Sequence, residues 1–331
     1  MAASLVSAKQ PTSGLRPMDL RRDLGEVATL IETCFAPTLD AAGHAAIQEM
    51  RMVSRAGPLL WVLARAGNLL PGLSQGFVWL EGGRIVGNVS VAPAGQARTY
   101  VIANVAVDPA YRRHGIARQL MLAALDQITR QGTTAILQVE ADNTPAIALY
   151  EDLGFTTQRT FVRWRRGMQH YLPVPLPNPP TIRALARRES ADLLDLARRV
   201  RPDERGGLGW LRPTRAANLR PARIGPLRYL LSGQNTGFQV ITGPQNTLDA
   251  ALILQTKLGS AATQFDLLVR PERQGEMELP LLNHVVRELG GWQTLITEHP
   301  ADDTPAGDAL RQHQFRVERT LTHMIWHAPR P

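Results

Sequence analysis

The stretch Val105-Ala-Val107-Asp108-Pro109-Ala-Tyr-Arg112-Arg113-His114-Gly115-Ile116-Ala117 decides the fold. Val101 to Val107 is an apolar, β-branched run, the pattern of a buried strand. Pro109 has no N–H to give to a ladder, so the strand ends at Asp108-Pro109. Beyond the turn, Ile116, Ala117, Leu120, Met121, Ala124, Leu125 and Ile128 recur at helical spacing, and Gly132 stands where a helix C-terminal glycine belongs. Arg112 to Ala117 is therefore expected to open a helix. The first N–H groups of a helix have no partner within it and carry partial positive charge. Gly115 and Ala117 keep that surface low, and Arg112, Arg113 and Arg118 add charge. The segment reads as a diphosphate site built mainly from main chain. His114 is expected to contribute its backbone N–H, with its imidazole facing solvent.

A second string follows: Asn143-Thr-Pro-Ala146-Ile-Ala-Leu149-Tyr150-Glu-Asp-Leu153-Gly154-Phe155. With both strings in this order, the chain resembles the GNAT superfamily of N-acetyltransferases. The phosphate-loop pattern of that family, Arg/Gln-x-x-Gly-x-Gly/Ala, is matched by Arg112, Gly115 and Ala117. Its later pattern is matched at Asn143, Ala146, Leu149, Tyr150, Gly154 and Phe155. The resemblance covers about Leu15 to Arg166. It implies an α/β fold with a mixed, twisted sheet flanked by helices, two of whose central strands splay around acyl-CoA. It also implies acetyl-CoA as cosubstrate, without a metal. The backbone of Val105 and Val107 would then bond the pantetheine and the acyl carbonyl. Arg112, Arg113, His114, Gly115, Ile116 and Ala117 would bind the pyrophosphate. Asn143 would sit near the cofactor and Tyr150 near the sulfur.

The residue types suit that chemistry. A neutral amine attacks a thioester, and strand N–H groups can stabilise the oxyanion that forms. The leaving thiolate, of pKa near 8.5, takes a proton from an acid, for which the Tyr150 hydroxyl is the candidate. The other reading of Tyr150 is a packing residue on an amphipathic helix. The base is more open. In the branch of the family that acetylates N-termini of ribosomal proteins, a glutamate precedes the valine of the next strand. Here that strand is Ile136-Leu137-Gln138-Val139-Glu140, and the matching position is Gln138. Glu140 lies on the same side of the strand and is a candidate base. A structural partnership with an arginine, and proton loss through ordered water, are the alternatives.

The 331 residues suffice for two domains, and 44% hydrophobic content suits a globular chain. The net charge is +8, and Lys9 and Lys257 are the only lysines. A basic balance favours the three phosphate groups of CoA and acidic acceptors. No stripe of basic and aromatic residues with a recognisable motif argues for nucleic acid. Cys34, the single cysteine, excludes an internal disulfide and falls on a helix face with Leu30 and Ile31. No signal-peptide core is legible at the N-terminus, and the apolar run Leu59 to Leu73 is broken by Arg65, Gly67, Asn68 and Pro71. A cytoplasmic protein without a membrane anchor is expected, with a homodimer left open.

Four segments are expected: a flexible tail at 1–14, a catalytic domain at 15–168, a Pro-rich linker at 169–181, and a second GNAT-like domain at 182–331. Within the first, the apolar part around Leu59, Leu60, Trp61 and Leu63 is expected to cover the acceptor side. The second domain reads as a worn copy of the first. Ala-Asp-Asn-Thr-Pro-Ala at Ala141 becomes Ala-Asp-Asp-Thr-Pro-Ala at Ala301, and Phe155 matches Phe315, both at an offset of 160 residues. Val269-Arg-Pro271 matches Val107-Asp-Pro109 at 162, and Gly275 matches Gly115 at 160, so the second loop is two residues shorter. Glu276, Met277 and Glu278 follow Gly275, where anions would repel pyrophosphate, and Leu310 replaces the tyrosine. The expectation is a tandem N-acetyltransferase active in its first half on a primary amine. The rival readings are a non-catalytic acyl-CoA sensor and an Arg-rich RNA- or ribosome-associated protein.

Overall fold

The computed structural model describes residues 12–36, 39, 41–55, 75–170, 174–219, 233–244 and 247–329. The stretch around Leu59, Leu60, Trp61 and Leu63 lies outside them, as does most of the expected N-terminal tail.

The first half of the sequence forms β1 (Gly14–Pro17), α1 (Leu24–Phe35), α2 (Ala41–Arg55), β2 (Gln75–Glu81), β3 (Arg84–Pro93), β4 (Thr99–Val107), α3 (Ile116–Gln131), β5 (Thr134–Glu140), α4 (Thr144–Asp152) and β6 (Thr156–Arg166). The second half forms β7 (Ile182–Ala184), α5 (Ser190–Val200), β8 (Gln234–Thr242), β9 (Leu248–Lys257), β10 (Ala262–Val269), α6 (Glu278–Leu289), β11 (Thr294–Pro300), α7 (Thr304–Gln312) and β12 (Arg316–His327).

Two compact units result. In the first, β1 to β4 form an antiparallel run, and β5 joins β4 in parallel. The β2–β3 hairpin turns at Gly82 and Gly83, whose φ values of +56° and +81° only glycine adopts freely. Alternate residues of β2 face opposite ways. Val78 and Leu80 pack with Val27, Leu30 and Ile31 of α1. On the other face, a Cβ added to Gly87 of β3 would lie 2.9 Å from Ile116 and 3.0 Å from Leu120, so this glycine is what lets α3 approach the strands. Gly132 caps α3 at φ −146°, an extended value, not the left-handed one expected from its place in the sequence. Its constraint is steric, because a Cβ there would fall 2.6 Å from the Tyr100 ring.

The second unit orders its strands β6-β11-β10-β9-β8-β7, with β10 and β11 parallel and the other neighbours antiparallel. Leu193, Leu196 and Ala197 of α5 fill one face of its sheet. Leu281, Leu282, Val285 and Val286 of α6, with Ala306 and Leu310 of α7, fill the other. Each half opens with the same clamp. Arg16 binds Asp23 at 2.6 and 2.7 Å, and Arg183 binds Glu189 at 2.8 and 2.7 Å, both bidentate.

The units do not coincide with the sequence halves. β6 belongs to the second unit, where it pairs with β11 from Phe161↔Pro300 to Arg166↔Leu295. Its buried Arg166 donates to the carbonyls of His313 and Gly290, each at 3.1 Å. Conversely, Ile325–Pro331 belongs to the first unit. There the N–H of Ala328 donates to Thr133 O at 2.8 Å, and His327 Nδ1 lies 3.4 Å from Thr134 Oγ1. Each half of the sequence thus surrenders the end of its last strand to the other unit.

Candidate functional site

The site begins where the sheet of the first unit stops being regular. β4 and β5 pair from Thr99↔Thr134 to Val101↔Ile136. Beyond Val101 the β4 limb carrying Val105 and Val107 has no recorded ladder with β5, the splay that the resemblance implies. On its other edge β4 is bulged. Asn88 faces Ala106 and Ser90 faces Ala103, so Asn104 and Val105 together stand opposite Val89. Asn104 takes φ +51°, a left-handed value that asparagine tolerates better than a β-branched residue does. Asn88, fully buried, donates from Nδ2 to Asn104 O at 2.9 Å, and Asn104 Nδ2 donates to Ser90 Oγ at 3.3 Å. A bulge re-aims the backbone groups of its strand, and this one falls at Val105.

The strand leads into the loop. Asp108 caps a 3-10 turn at Pro109–Tyr111, its Oδ1 accepting from Ala110 N at 3.0 Å, and it also pairs with Arg84. Arg112 donates from Nε to Val107 O at 3.2 Å, and the Cys34 thiol donates to the same carbonyl at 3.4 Å. Burial raises the Cys34 pKa while Arg112 opposes the rise, so the thiol stays protonated. Arg113 and Gly115 have φ of +66° and +76°, and Gly115 is the N-cap of α3. Successive left-handed residues at a helix start turn neighbouring N–H groups to one side, the geometry of an anion nest. A Cβ on Gly115 would meet nothing within 4 Å, so its glycine is required by backbone conformation alone. The imidazole of His114 is exposed, with Nδ1 3.2 Å from Tyr111 O. Ile116 is buried under the loop against Gly87, whereas Ala117 is partly exposed.

Tyr150, in α4, is buried, with its ring 5.9 Å from that of Phe155. Burial pushes its phenol up to about 12, so it holds its proton throughout the physiological range.

The remaining residues named from the sequence lie in the second unit. Asn143 caps α4, its Oδ1 accepting from Ala146 N at 3.3 Å. Glu140 is held by Arg319 at 2.5 Å, the arginine partnership. Gln138 contacts the His323 ring, Nε2 to Nε2, at 2.7 Å. His323 is stacked on Phe161 at 4.5 Å and meets Trp210 edge-on at 5.2 Å. Desolvation lowers its pKa to about 4, so the imidazole is neutral.

The second-half counterpart is differently furnished. β10 and β11 also pair only at their start, over Ala262–Gln264. Yet β9 and β10 run in unbroken register from Thr263↔Thr256 to Val269↔Ala250, with no bulge. The N–H of Gly275 is taken by the buried Glu278 carboxylate at 2.8 Å. Arg201, wholly buried, donates to Leu267 O at 3.5 Å and to His299 Nδ1 at 2.9 Å, and His299 Nε2 lies 2.8 Å from Asp303. Leu267 stands 162 residues after Val105. Side chains of the protein itself therefore occupy both the loop amide and the strand position that the resemblance would give to the cofactor.

Asn104, Asn88, His323 and Arg201 are not legible as site residues in the sequence. Asn104 left one signal, as the sole polar residue between Val101 and Val107. His323, supplied by a distant strand, left none.

Residues 50–155 match the model of the Acetyltransferase (GNAT) family. The chain is similar to the [ribosomal protein bS18]-alanine N-acetyltransferase of Salmonella typhimurium (strain LT2), 30% identical over 134 residues, which cover 36% of this chain and 90% of that protein. It is similar to the protein of the same name from Escherichia coli (strain K12), 38% identical over 78 residues, 22% of this chain; here the chain spans about half, 53%, of the relative. In structure it is similar to a tandem GNAT protein from the clavulanic acid biosynthesis pathway, with TM-score 0.52 and 17% identity, covering 96% of this chain and 99% of that one. The last likeness is one of fold. With the match to the Salmonella relative extending over nearly all of that protein's length, the chain belongs to the acetyltransferase (GNAT) family.

Proposed function

We propose that the protein transfers an acetyl group from acetyl-CoA to a primary amine, with the first half of the chain carrying the cofactor site. One observation supports this above the others: a left-handed glycine, Gly115, caps a helix directly after a strand bulged at Asn104 and splayed from its neighbour. That arrangement offers amide groups to a diphosphate at one end and strand amides to an acyl oxygen at the other. Acetyl-CoA supplies the activated acyl group. Arg112, Arg113, His114, Gly115, Ile116 and Ala117 hold its pyrophosphate, and the backbone of Val105 and Val107 holds the pantetheine and polarises the carbonyl. Asn143 fixes the start of α4, and Tyr150 presents a protonated hydroxyl to the sulfur. The degenerate second half, with Glu278 and Arg201 in the corresponding places, binds no cofactor. We place the reaction in the cytoplasm.

A non-catalytic acyl-CoA sensor is the second reading. It draws on the engagement of Glu140 by Arg319, which leaves no free carboxylate on that face of β5. Calorimetry with acetyl-CoA, followed by thiol release over a panel of primary amines, separates the two. The expected result is one site per chain, lost in the Arg112→Ala/Arg113→Ala double variant, and release with at least one amine. Tight binding with no release on any amine favours the sensor, and absence of binding overturns both.

A further inference from the structure

The position at which the ribosomal-protein branch of the family places a glutamate is Gln138 here. The structure shows what accompanies that change. Gln138 is bonded to His323 at 2.7 Å, and His323 comes from β12, the last strand of the second half. The imidazole cannot turn freely, because Phe161 of β6 stacks on it and Trp210, from the segment after α5, closes its edge.

The charged groups around this pair are accounted for. Two residues along β5, Glu140 is neutralised by Arg319 of β12. The Arg201 guanidinium lies 5.8 Å from the centre of the Phe161 ring and has its own partner in His299. Arg163 of β6 is paired with Glu318 at 2.8 Å. His323 itself is uncharged above about pH 4, through desolvation. It is also a poor proton acceptor for an alkyl ammonium of pKa about 10.4, since the mismatch of about 6 units costs roughly 8 kcal/mol.

We propose that Gln138 and His323 form an uncharged positioning pair that receives the acceptor amine already deprotonated, so that the protein selects weakly basic amines of the α-amino type over lysine-like alkyl amines. This rests on the acetyl-transfer reading above. The amine nitrogen forms the new bond to the acyl carbon as the carbon–sulfur bond breaks. The proton displaced from nitrogen leaves to water, and the sulfur gains one from the Tyr150 hydroxyl, which is refilled from solvent. No carboxylate is needed, because deprotonation precedes binding. At pH 7.4 an α-amine of pKa 7.7–8.0 is roughly one-quarter neutral, whereas an amine of pKa 10.4 is about one part in a thousand neutral. Selection by ionisation alone is therefore of the order of 200- to 300-fold.

The test is kcat/KM against pH from 6 to 9 for the full chain. The probes are alanylglycine amide, with only an α-amine, and Nα-acetyl-lysine amide, with only an ε-amine. Alanylglycine amide is expected to be favoured about 100-fold at pH 7.4, with a rate that levels off near its own pKa. Any turnover of the lysine probe should keep rising tenfold per pH unit across the window. Gln138→Glu should narrow the preference at least tenfold and introduce a limb that is the same for both probes. His323→Asn should raise KM for the amine while leaving acetyl-CoA affinity, read by calorimetry, unchanged. A limb at one fixed pH for both probes in the unaltered protein, or a preference for the lysine probe, overturns the inference while acetyl transfer stands. Intact acetyl-CoA binding with no thiol release from any primary amine overturns the transfer reading itself, and this inference with it.

Discussion

The Glu278 carboxylate accepts the N–H of Gly275 at 2.8 Å, in the loop that repeats the Gly115 loop 160 residues on. Both glycines are left-handed, at φ +85° and +76°. One amide is spent inside the protein, and the other stands at the exposed start of a helix. Burial raises the Glu278 pKa, and its Oε1 has no partner, so the carboxylate is held there at some cost.

The two glycines should therefore respond differently to the same change. Forcing a Cβ into a left-handed residue costs about 1–2 kcal/mol. Gly115→Ala is expected to weaken acetyl-CoA binding at least tenfold, because the amides it distorts are those offered to the diphosphate. Gly275→Ala should lower unfolding stability by a comparable free energy and leave acetyl-CoA affinity within twofold. Paired calorimetry and denaturant titration read both quantities, and equal loss of affinity in the two variants would sink the assignment.

The bulge makes a second comparison possible. Asn104 sits at φ +51° with its carbonyl bonded by the buried Asn88. Asn104→Gly suits that backbone and should keep kcat within about threefold. Asn104→Val places a β-branched side chain at positive φ, a strain of at least about 1–2 kcal/mol. The strand should then slide into the unbroken register that β9 and β10 already show, and kcat should fall at least tenfold. Steady-state kinetics on both variants, with stability measured alongside, checks this.

Local chemistry was legible in the sequence and exchange between halves was not. Strand β4, the turn at Asp108 and Pro109, and helix α3 follow from residues within about thirty positions of one another, so periodicity and proline placement suffice. The repeat was visible too, because Ala301-Asp-Asp-Thr-Pro-Ala copies a capping motif that each α4-like helix needs. The fate of β6 and β12 was hidden. Both strands carry the same alternation and the same Arg-Thr pair, at Arg159 and Arg319, so nothing local distinguishes a strand that stays from one that crosses. With the exchange hidden, the partners of Gln138 and Glu140, which are His323 and Arg319, could not be read either.

Buried histidines set an acid limit on stability. His299 accepts from Arg201 at Nδ1, and its other nitrogen lies 2.8 Å from Asp303. Desolvation, then Arg201, lowers its pKa to about 4, against about 6.5 for an unfolded histidine. The unfolded chain binds the proton first, so this contribution is complete above pH 6.5 and is lost as pH falls towards 4. A difference of about 2.5 units corresponds to roughly 3 kcal/mol. Urea unfolding at pH 7.5 and 4.5 should show a loss of that order. His299→Gln, which can still accept from Arg201, should flatten the slope between those values.

Tyr150 is the last residue whose role can be isolated. Its phenol sits at about 12, and the sulfur it would serve leaves as a thiolate near 8.5. Full proton transfer before the carbon–sulfur bond breaks is therefore uphill by about 3.5 units, or roughly 5 kcal/mol. The useful contribution is a hydrogen bond to the sulfur that strengthens as charge develops there. Tyr150→Phe should accordingly lower kcat by about 100-fold, at the low end for a general acid, with acetyl-CoA affinity changed less than twofold. The acid form is lost only as pH rises through about 12, so the alkaline side of the kcat profile should show no tyrosine limb up to pH 10. A limb near pH 9 that vanishes in Tyr150→Phe would mean that the phenol ionises far more readily than its burial allows.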